Sequence, residues 1–512
     1  MATRRTGERV TLSDIYDTFF AGDFELCLKR SCAFQSRDAK DAAEIVLLRA
    51  RCLIHLGRGD QAIDSLRALR VADDQHDEYL IGRMLMSAAY VSLGRLDDGL
   101  KIAQEAYDAI GEHSHQNVRS EVTLNLAIAH YRKGQYAGTS RLLDLIPETE
   151  DMIYVRTLQF RGGVAWSTSK FETSLDFFRS ALALLDRCLH RDRFTESKLL
   201  YALAYLCAEL PRLDLWPEVA RRIEEFDWCV SGVALYRYLT SMASSMVTEL
   251  LGDMDATLAW VSVAEEFAPD MPSSVSVWCR MGDCLGLNGE SRGHSYFTKK
   301  ALRDYDAIPK DAVRSTPLYQ ALDVAEQVLY SNAPLPASRL VNYYADVVAP
   351  TVKSAGSAGR TLEARYAFVL GQLEDRNRNR ARAEEAYRRA FDMYCSAGLL
   401  RVASTVAYRL YALTNDDAYK AFIERALSEV SDKYWIKALL NRDRTVAQLT
   451  TRQLEVVGLV AQGLTNKEIG AALKITEARV RNILVVVFRT LRIQSRAELA
   501  SIATERGLKD TN

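Results

Sequence analysis

Between residues 465 and 489 the chain gathers side chains suited to holding nucleic acid: Thr465, Asn466 and Lys467 in one cluster, then Arg479, Arg481, Asn482 and Arg489. Guanidinium and ammonium groups neutralise phosphates, and the counterions this releases supply most of the sequence-independent affinity for a duplex. Arginine can also fork onto a guanine edge and asparagine onto an adenine edge. Arg481 and Asn482 are therefore candidate base readers, with phosphate positioning as the alternative for Arg481. Val485 between them and Arg489 offers a surface for a thymine methyl but no donor or acceptor. The surrounding charge agrees: residues 441–512 hold twelve Lys or Arg against seven Asp or Glu. That net of +5 leaves −6 for the first 440 residues of a chain whose total is −1. A basic end on an otherwise acidic chain is the electrostatic footprint of phosphate attraction.

These residues need helices to aim them, and the sequence marks where helices begin. Thr450 with Gln453, Thr465 with Glu468 and Ser495 with Glu498 have capping-box spacing, in which a hydroxyl satisfies a free helix amide and the longer side chain reaches back. Gly463 suits the close of the first helix and Thr476 the start of the third. The spacing predicts helices over about 451–462, 466–473, 477–491 and 496–506, with helix-turn-helix spacing at about 465–484. In the third, Val480, Leu484, Val487 and Leu491 recur at core spacing, leaving Arg481, Asn482, Val485 and Arg489 on the outward face. Thr465, Asn466 and Lys467 stand at a helix N-terminus, where backbone amides and the dipole favour a phosphate.

This stretch resembles the LuxR/GerE-type domain of bacterial transcription regulators. The matching residues are Leu449, Thr450, Arg452, Glu455, Val456, Ala461, Gly463, Asn466, Lys467, Glu468, Ile469, Leu473, Ile475, Val480, Leu491, Ile493, Arg496 and Glu498, without a gap. The resemblance implies double-stranded DNA as a partner. It puts the third helix in the major groove, the second as a brace, and the fourth pairing two copies into a homodimer on a pseudo-palindromic site. The third helix departs from the pattern. Ile483 replaces a histidine, and Val485 and Val486 stand where a polar residue is usual, within an apolar run over 483–488. An exposed apolar face of that kind also fits protein contact, so a second reading is an adaptor or anti-activator that uses a degenerate helix-turn-helix to bind another regulator.

The rest of the chain repeats itself. An apolar-periodic helix, a glycine turn and a second helix appear over 49–69, 84–107 and 123–146, with Gly57, Gly94 and Gly134 spaced by 37 and 40 residues, and weaker copies follow to about 430. Small and aromatic residues ahead of the turn, such as Ala88 and Tyr90 or Ala129 and Tyr131, resemble tetratricopeptide repeats. About ten such pairs stack into a superhelix with a concave groove, since one pair cannot bury its apolar face alone. The expected fold is all-α: a tetratricopeptide-like α-solenoid over 1–430, a helical linker over 431–448 and a small four-helix LuxR-type domain over 449–512. A groove suits a peptide or protein signal. Asn125, His130, Tyr201, Tyr205, Arg237 and Tyr238 fall on predicted inner helices, but packing roles outweigh ligand roles there and no ligand residue is assigned. Pro334, Pro336 and the small-residue segment 353–361 are expected to form a flexible joint.

Catalysis and cofactors find no support. The seven histidines make no zinc signature, and there is no nucleophile elbow, P-loop or dinucleotide fingerprint, so neither an enzyme, a metal nor a cofactor is expected. Nine scattered cysteines read as buried free thiols. No apolar run approaches a membrane span, and the acidic, amphipathic start is not a leader, so a cytoplasmic location without membrane contact is expected.

Overall fold

The computed structural model describes residues 10–34, 39–69, 76–229, 231–287, 290–308, 317–330, 334–343, 357–426, 449, 451–491, 493 and 495–505. Regular structure among these is helical throughout, as expected, with one 3₁₀ turn over Ser231–Val233. The chain falls into two compact units, one reaching to Ser244 and the other comprising most of the chain from Ser245 onward.

The first unit opens with α1 (Leu12–Phe20), α2 (Phe24–Ala33), α3 (Ala39–His55), α4 (Gly59–Ala68), α5 (His76–Ser92) and α6 (Leu96–Asp108). It continues with α7 (Gln116–Arg132), α8 (Tyr136–Leu143), α9 (Met152–Ser167), α10 (Phe171–Leu185), α11 (Arg193–Glu209), α12 (Trp216–Glu225) and the start of α13 (Ala234–Leu250). Helices pair in hairpins, and the turns share one geometry. Gly57, Gly94 and Gly134 sit at φ of 72°, 76° and 72°. The next residue's N–H donates back to a carbonyl five residues earlier, Arg58 to Leu53 at 2.8 Å, Arg95 to Tyr90 at 2.9 Å and Gln135 to His130 at 3.0 Å. This six-to-one bond closes orphan carbonyls at the helix end. Ser169 (φ 61°) and Arg378 (φ 64°) take the same left-handed position without glycine, which is why those copies read weakly in the sequence.

Inside a pair, the helices touch where a side chain crosses to a carbonyl twelve residues away. Ser87 Oγ donates to Gly99 O and Ser174 Oγ to Gly162 O, both at 2.8 Å. A Cβ on Gly99 would lie 2.6 Å from Val91 Cγ2, and one on Gly162 would lie 2.6 Å from the Phe178 ring. Close approach, not backbone freedom, selects glycine at these crossings.

The second unit holds the end of α13, then α14 (Met254–Glu266), α15 (Met271–Leu287), α16 (Ser291–Asp306), α17 (Pro317–Tyr330) and α18 (Pro334–Tyr343). After these come α19 (Ser357–Arg376), α20 (Arg380–Ser396), α21 (Leu400–Thr414), α22 (Asp417–Ala426), α23 (Thr451–Ala461), α24 (Asn466–Leu473), α25 (Glu477–Leu491) and α26 (Arg496–Glu505). Buried His294 Nδ1 donates to Gly282 O at 2.8 Å, the same twelve-residue crossing in a repeat of this unit. Two expectations need correction. Pro334 opens α18, at the helix start where its missing N–H is harmless. Residues 357–361 belong to α19 and form no joint, while 353–356 lie outside the described residues, as does the linker over 431–448. Cysteines also differ from expectation: five are buried, but Cys32 and Cys229 are exposed.

Candidate nucleic-acid interface and the repeat interior

The four C-terminal helices start and stop close to where their caps predict. Thr465 Oγ1 accepts from the Glu468 amide, and Glu468 Oε2 accepts from the Thr465 amide at 2.7 Å and from the Thr465 hydroxyl at 2.7 Å. These donors hold the Glu468 carboxyl below its ordinary range. Thr476 Oγ1 accepts from the Arg479 amide at 3.2 Å, and Ser495 Oγ from the Glu498 amide at 3.1 Å. Gly463, at φ 84°, ends α23. Thr450 lies outside the described residues.

The turn between α24 and α25 holds two features that the sequence reading missed. Lys474 takes a left-handed φ of 54°, and the Ile475 amide donates to Gly470 O at 2.9 Å. A Cβ on Gly470 would sit 2.8 Å from Ile475 O. Gly470 is thus the contact that lets α25 fold back on α24. Its signal was available, because glycine inside a helix costs about 1 kcal/mol relative to alanine and needs a packing reason.

A core of Val456, Val457, Val460, Ile469, Val480, Leu484, Val487, Leu491 and Leu499 fixes the roll of α25. The four α25 positions expected inside are at most 5% exposed. Arg479, Arg481, Asn482 and Val485 face solvent, as does Lys467. Val485 and Val486 are 52% and 47% exposed, whereas Ile483 packs partly into the core. Arg481 reaches Glu477 one turn back at 3.3 Å. Exposed pairs of this kind contribute little, so the guanidinium can leave it for another anion. Asn466 is engaged differently: its Oδ1 accepts from Arg496 Nη1 at 2.8 Å, while Arg496 Nη2 donates to Leu464 O. Arg452 similarly donates to Leu473 O at the end of α24. Arg452 and Arg496 therefore tie the helices together, and Asn466 is part of that tie. The side chain of Arg489 lies outside the described residues.

The repeats position a second set of polar groups, which sequence reasoning did not single out. In the first unit, α1, α2 and α3 meet α11 and the 3₁₀ turn. The His55 ring lies 4.5 Å from both Phe24 and Phe194, and Phe194 lies 5.6 Å from Tyr236. Beside these rings Arg51 bridges Glu121 with its two terminal nitrogens, the closest contact being 3.0 Å. Burial works against the Glu121 carboxylate, but Arg51 outweighs it and holds the carboxyl below its usual range. Arg156, half-buried on α9, is pushed down by burial against the pull of Glu121 and Asp192, with Arg51 adding to the fall. Lys198 on α11 is pushed down to about 7 by burial, Arg156 and Arg132, against the pull of Asp192. Its ammonium lies 3.8 Å over the Phe194 ring. His55 is held well below its ordinary range by burial and by Lys198, Arg156 and Arg51.

The second unit pairs its interior arginines with carboxylates. Arg280 donates to Glu249 at 2.5 Å and to Ser245 O at 2.7 Å, and Arg365 donates to Glu326 and, at 3.2 Å, to Asp323. Burial, with Glu326 and Asp283 as neighbours, lifts the Asp323 carboxyl to about 6 despite Arg365. The groove residues expected from sequence are mostly structural. Asn125 and Tyr238 are buried, His130 Nδ1 bonds Gln135 Oε1 at 2.5 Å across the α7–α8 turn, and Tyr205 stacks on Trp166 at 4.8 Å. Tyr201 and Arg237 are half-buried.

Comparison with known proteins bears on both parts. Residues 447–503 match the family described as bacterial regulatory proteins, luxR family. Over 67 residues the chain is 37% identical to an uncharacterized transcriptional regulatory protein, YvfU, of Bacillus subtilis (strain 168). That match covers 13% of this chain and 34% of the relative, so about two thirds of the relative has no counterpart in the match. Two solved structures are similar to most of the chain. A Rap protein complexed with competence and sporulation factor aligns at 13% identity and a TM-score of 0.47, covering 70% of this chain and 99% of that one. A human IFIT1 dimer with m7Gppp-AAAA aligns at 14% identity and a TM-score of 0.43, covering 83% and 94%. With its caps, core and turn in place, the segment over 447–503 is a helix-turn-helix domain of the LuxR family of bacterial regulatory proteins, carried at the end of a tetratricopeptide-like array of helix pairs.

Proposed function

We propose that this protein is a bacterial, DNA-binding transcription regulator in which the helical repeats receive a peptide or protein signal and control the C-terminal helix-turn-helix. The observation that carries the reading is α25: its apolar stripe is locked inward, leaving Arg479, Arg481 and Asn482 exposed on a basic domain. Arg481 and Asn482 read base edges, Arg479 and Lys467 position on phosphates, and α26 pairs two copies. No catalysis, metal or cofactor enters this reading, and the protein acts in the cytoplasm. Among the described residues no helix is long and apolar enough to cross a membrane. Signal transfer is a population shift, which requires the signal to bind two states of the protein unequally.

The test is genome-wide occupancy of the tagged chain beside Arg481→Ala, followed by binding to a recovered site. The expected loss is roughly 1–3 kcal/mol, about 5- to 150-fold in affinity, together with relaxed preference at one base. Arg479→Ala should weaken all sequences alike and lower the salt slope by about one. Occupancy without a shared motif, unchanged by Arg481→Ala, would reject the reading. The exposure of Val485 and Val486 favours a second one, an adaptor that grips another regulator with α25. In that case Val485→Ser/Val486→Ser abolishes capture of the regulator. Binding would also vary little between roughly 50 and 200 mM salt, where phosphate contacts weaken steeply.

A further inference from the structure

Six apolar residues run along α25 from Ile483 to Phe488, and the domain core uses four of them. Leu484 and Val487 are buried, and Ile483 and Phe488 pack partly against the same core. Val485 and Val486 are left over. Among the described residues over 449–505 they are the two exposed large apolar side chains. Helix formation does not account for them, since valine is stiff at χ1 and a poorer helix former than the alanine, lysine or glutamine that an exposed position accepts. Helical periodicity fixes what stands around them. Asn482 lies three residues before Val485 and four before Val486, so it stands between the two valines on the outward face. Arg481, one turn before Val485, borders this strip on one side, and Arg479, two turns before Val486, borders it on the other. All five side chains are exposed. Among the described residues the Asn482 amide makes no hydrogen bond, so its donor and acceptor are both available.

One amide flanked by two isopropyl groups matches one kind of base edge. Adenine presents an acceptor and a donor side by side in the major groove, which an asparagine amide meets with two hydrogen bonds. Thymine is the base whose major-groove edge carries a methyl group, and an apolar side chain contacts it without a donor or acceptor. We propose that Val485 and Val486 read thymine C5 methyls on the two sides of an adenine held by Asn482. The half-site then has a centre of A·T pairs, next to the pair that Arg481 contacts. This rests on the reading that α25 enters the major groove, and it specifies the base preference there. Charge favours DNA over a protein as the occupant of this face. The cores of protein interfaces are depleted in charge, whereas Arg479 and Arg481 border the valines on both sides and Lys467 stands exposed on α24. Those cations suit the phosphates that line a groove. Methyl burial also accounts for valine where the LuxR-type pattern has a polar residue: sequence is read there by shape and apolar contact instead of by a hydrogen bond.

The experiment starts from duplexes selected out of a random pool by the full chain. Each thymine of the shared motif is then replaced in turn by uracil, which keeps the pairing and removes only the methyl group. Affinity is read by fluorescence anisotropy at constant salt. Uracil at the positions facing Val485 and Val486 should weaken the wild-type chain by about fourfold each, the worth of one buried methyl, and uracil elsewhere should leave affinity unchanged. Val485→Ala should abolish the penalty at one of these positions and Val486→Ala at the other. Each variant should bind the thymine duplex no more tightly than wild type binds the matching uracil duplex. Alanine is the better helix former, so α25 persists in both variants, which unchanged helical circular dichroism checks. The cycle also separates methyl contact from any change that uracil makes to duplex shape, because a shape effect is the same in wild type and variant. A motif lacking thymine, uracil tolerated at every position, or penalties that survive in both alanine variants would overturn the proposal. If affinity still depends on Arg481 in that case, α25 reads DNA and only the methyl contact is rejected. A selected pool without a shared motif would instead reject the DNA reading, and this proposal with it.

Discussion

The two units use the same helix pairs and different interiors. In the first, Arg51 pairs with Glu121 beside the rings of His55 and Phe194, and the Lys198 ammonium lies over Phe194. In the second, Arg280 pairs with Glu249 and Arg365 with Glu326 and Asp323. Because both sit on repeats with the same turns and crossings, repeat packing does not dictate which charges an interior gathers.

The sharpest way to break this comparison is to remove a paired cation from each unit. Arg51→Gln removes the paired cation from Glu121, and Arg365→Gln removes it from Glu326 and Asp323; each should cost roughly 3–5 kcal/mol, since a buried carboxylate loses its ion-pair partner. Denaturant unfolding followed by a probe within the affected unit reads this out. Loss below about 1 kcal/mol in either variant would mean that the pair is too solvated to matter.

Asp323→Asn sharpens the acidic side. The folded-state value near 6 lies above the ordinary one, so the folded chain holds an extra proton between about 4 and 6 and stability falls as pH rises through that window. The variant should be more stable than wild type by roughly 1–2 kcal/mol at pH 7.5, and the advantage should vanish near pH 4. An advantage independent of pH would deny that the carboxyl titrates as described.

Lys198→Gln gives the smallest effect and the opposite slope. With its folded value near 7 and its ordinary one at 10.5, the unfolded chain holds the extra proton between them, and stability rises with pH across that range. The substitution should stabilise at pH 6 more than at pH 9. The net gain should be only about 1 kcal/mol, because the cation–π contact over Phe194 offsets the repulsion and is lost with it. Equal effects at both pH values would mean that burial does not depress the Lys198 ammonium.

How much was legible in the sequence follows from the range of the forces involved. Thr465 with Glu468, Thr476, Ser495 and Gly463 act over three to five residues, and the boundaries of α24 and α25 were readable from them. The inward set on α25 followed from helical periodicity, as did the outward Arg481, Asn482 and Val485. Ile483 was harder, because a position at the edge of the apolar stripe is assigned by the neighbouring helix that covers it. Asn466 looked like a free phosphate donor until Arg496, thirty residues on, closed over it. Turns at Ser169 and Arg378 escaped notice because the left-handed geometry survived without the glycine that announces it.

The sequence by itself determined the all-helical class, the repeat with its turn glycines, and the LuxR-type domain down to its helix ends. Each depends on spacing that a single helix or hairpin satisfies alone. Only the tertiary structure decided that His55 meets Phe194, that Arg51 takes Glu121, and that the Lys198 ammonium lies over the Phe194 ring. Those meetings depend on how a small rotation per repeat accumulates across six helix pairs, a sum that no local pattern encodes.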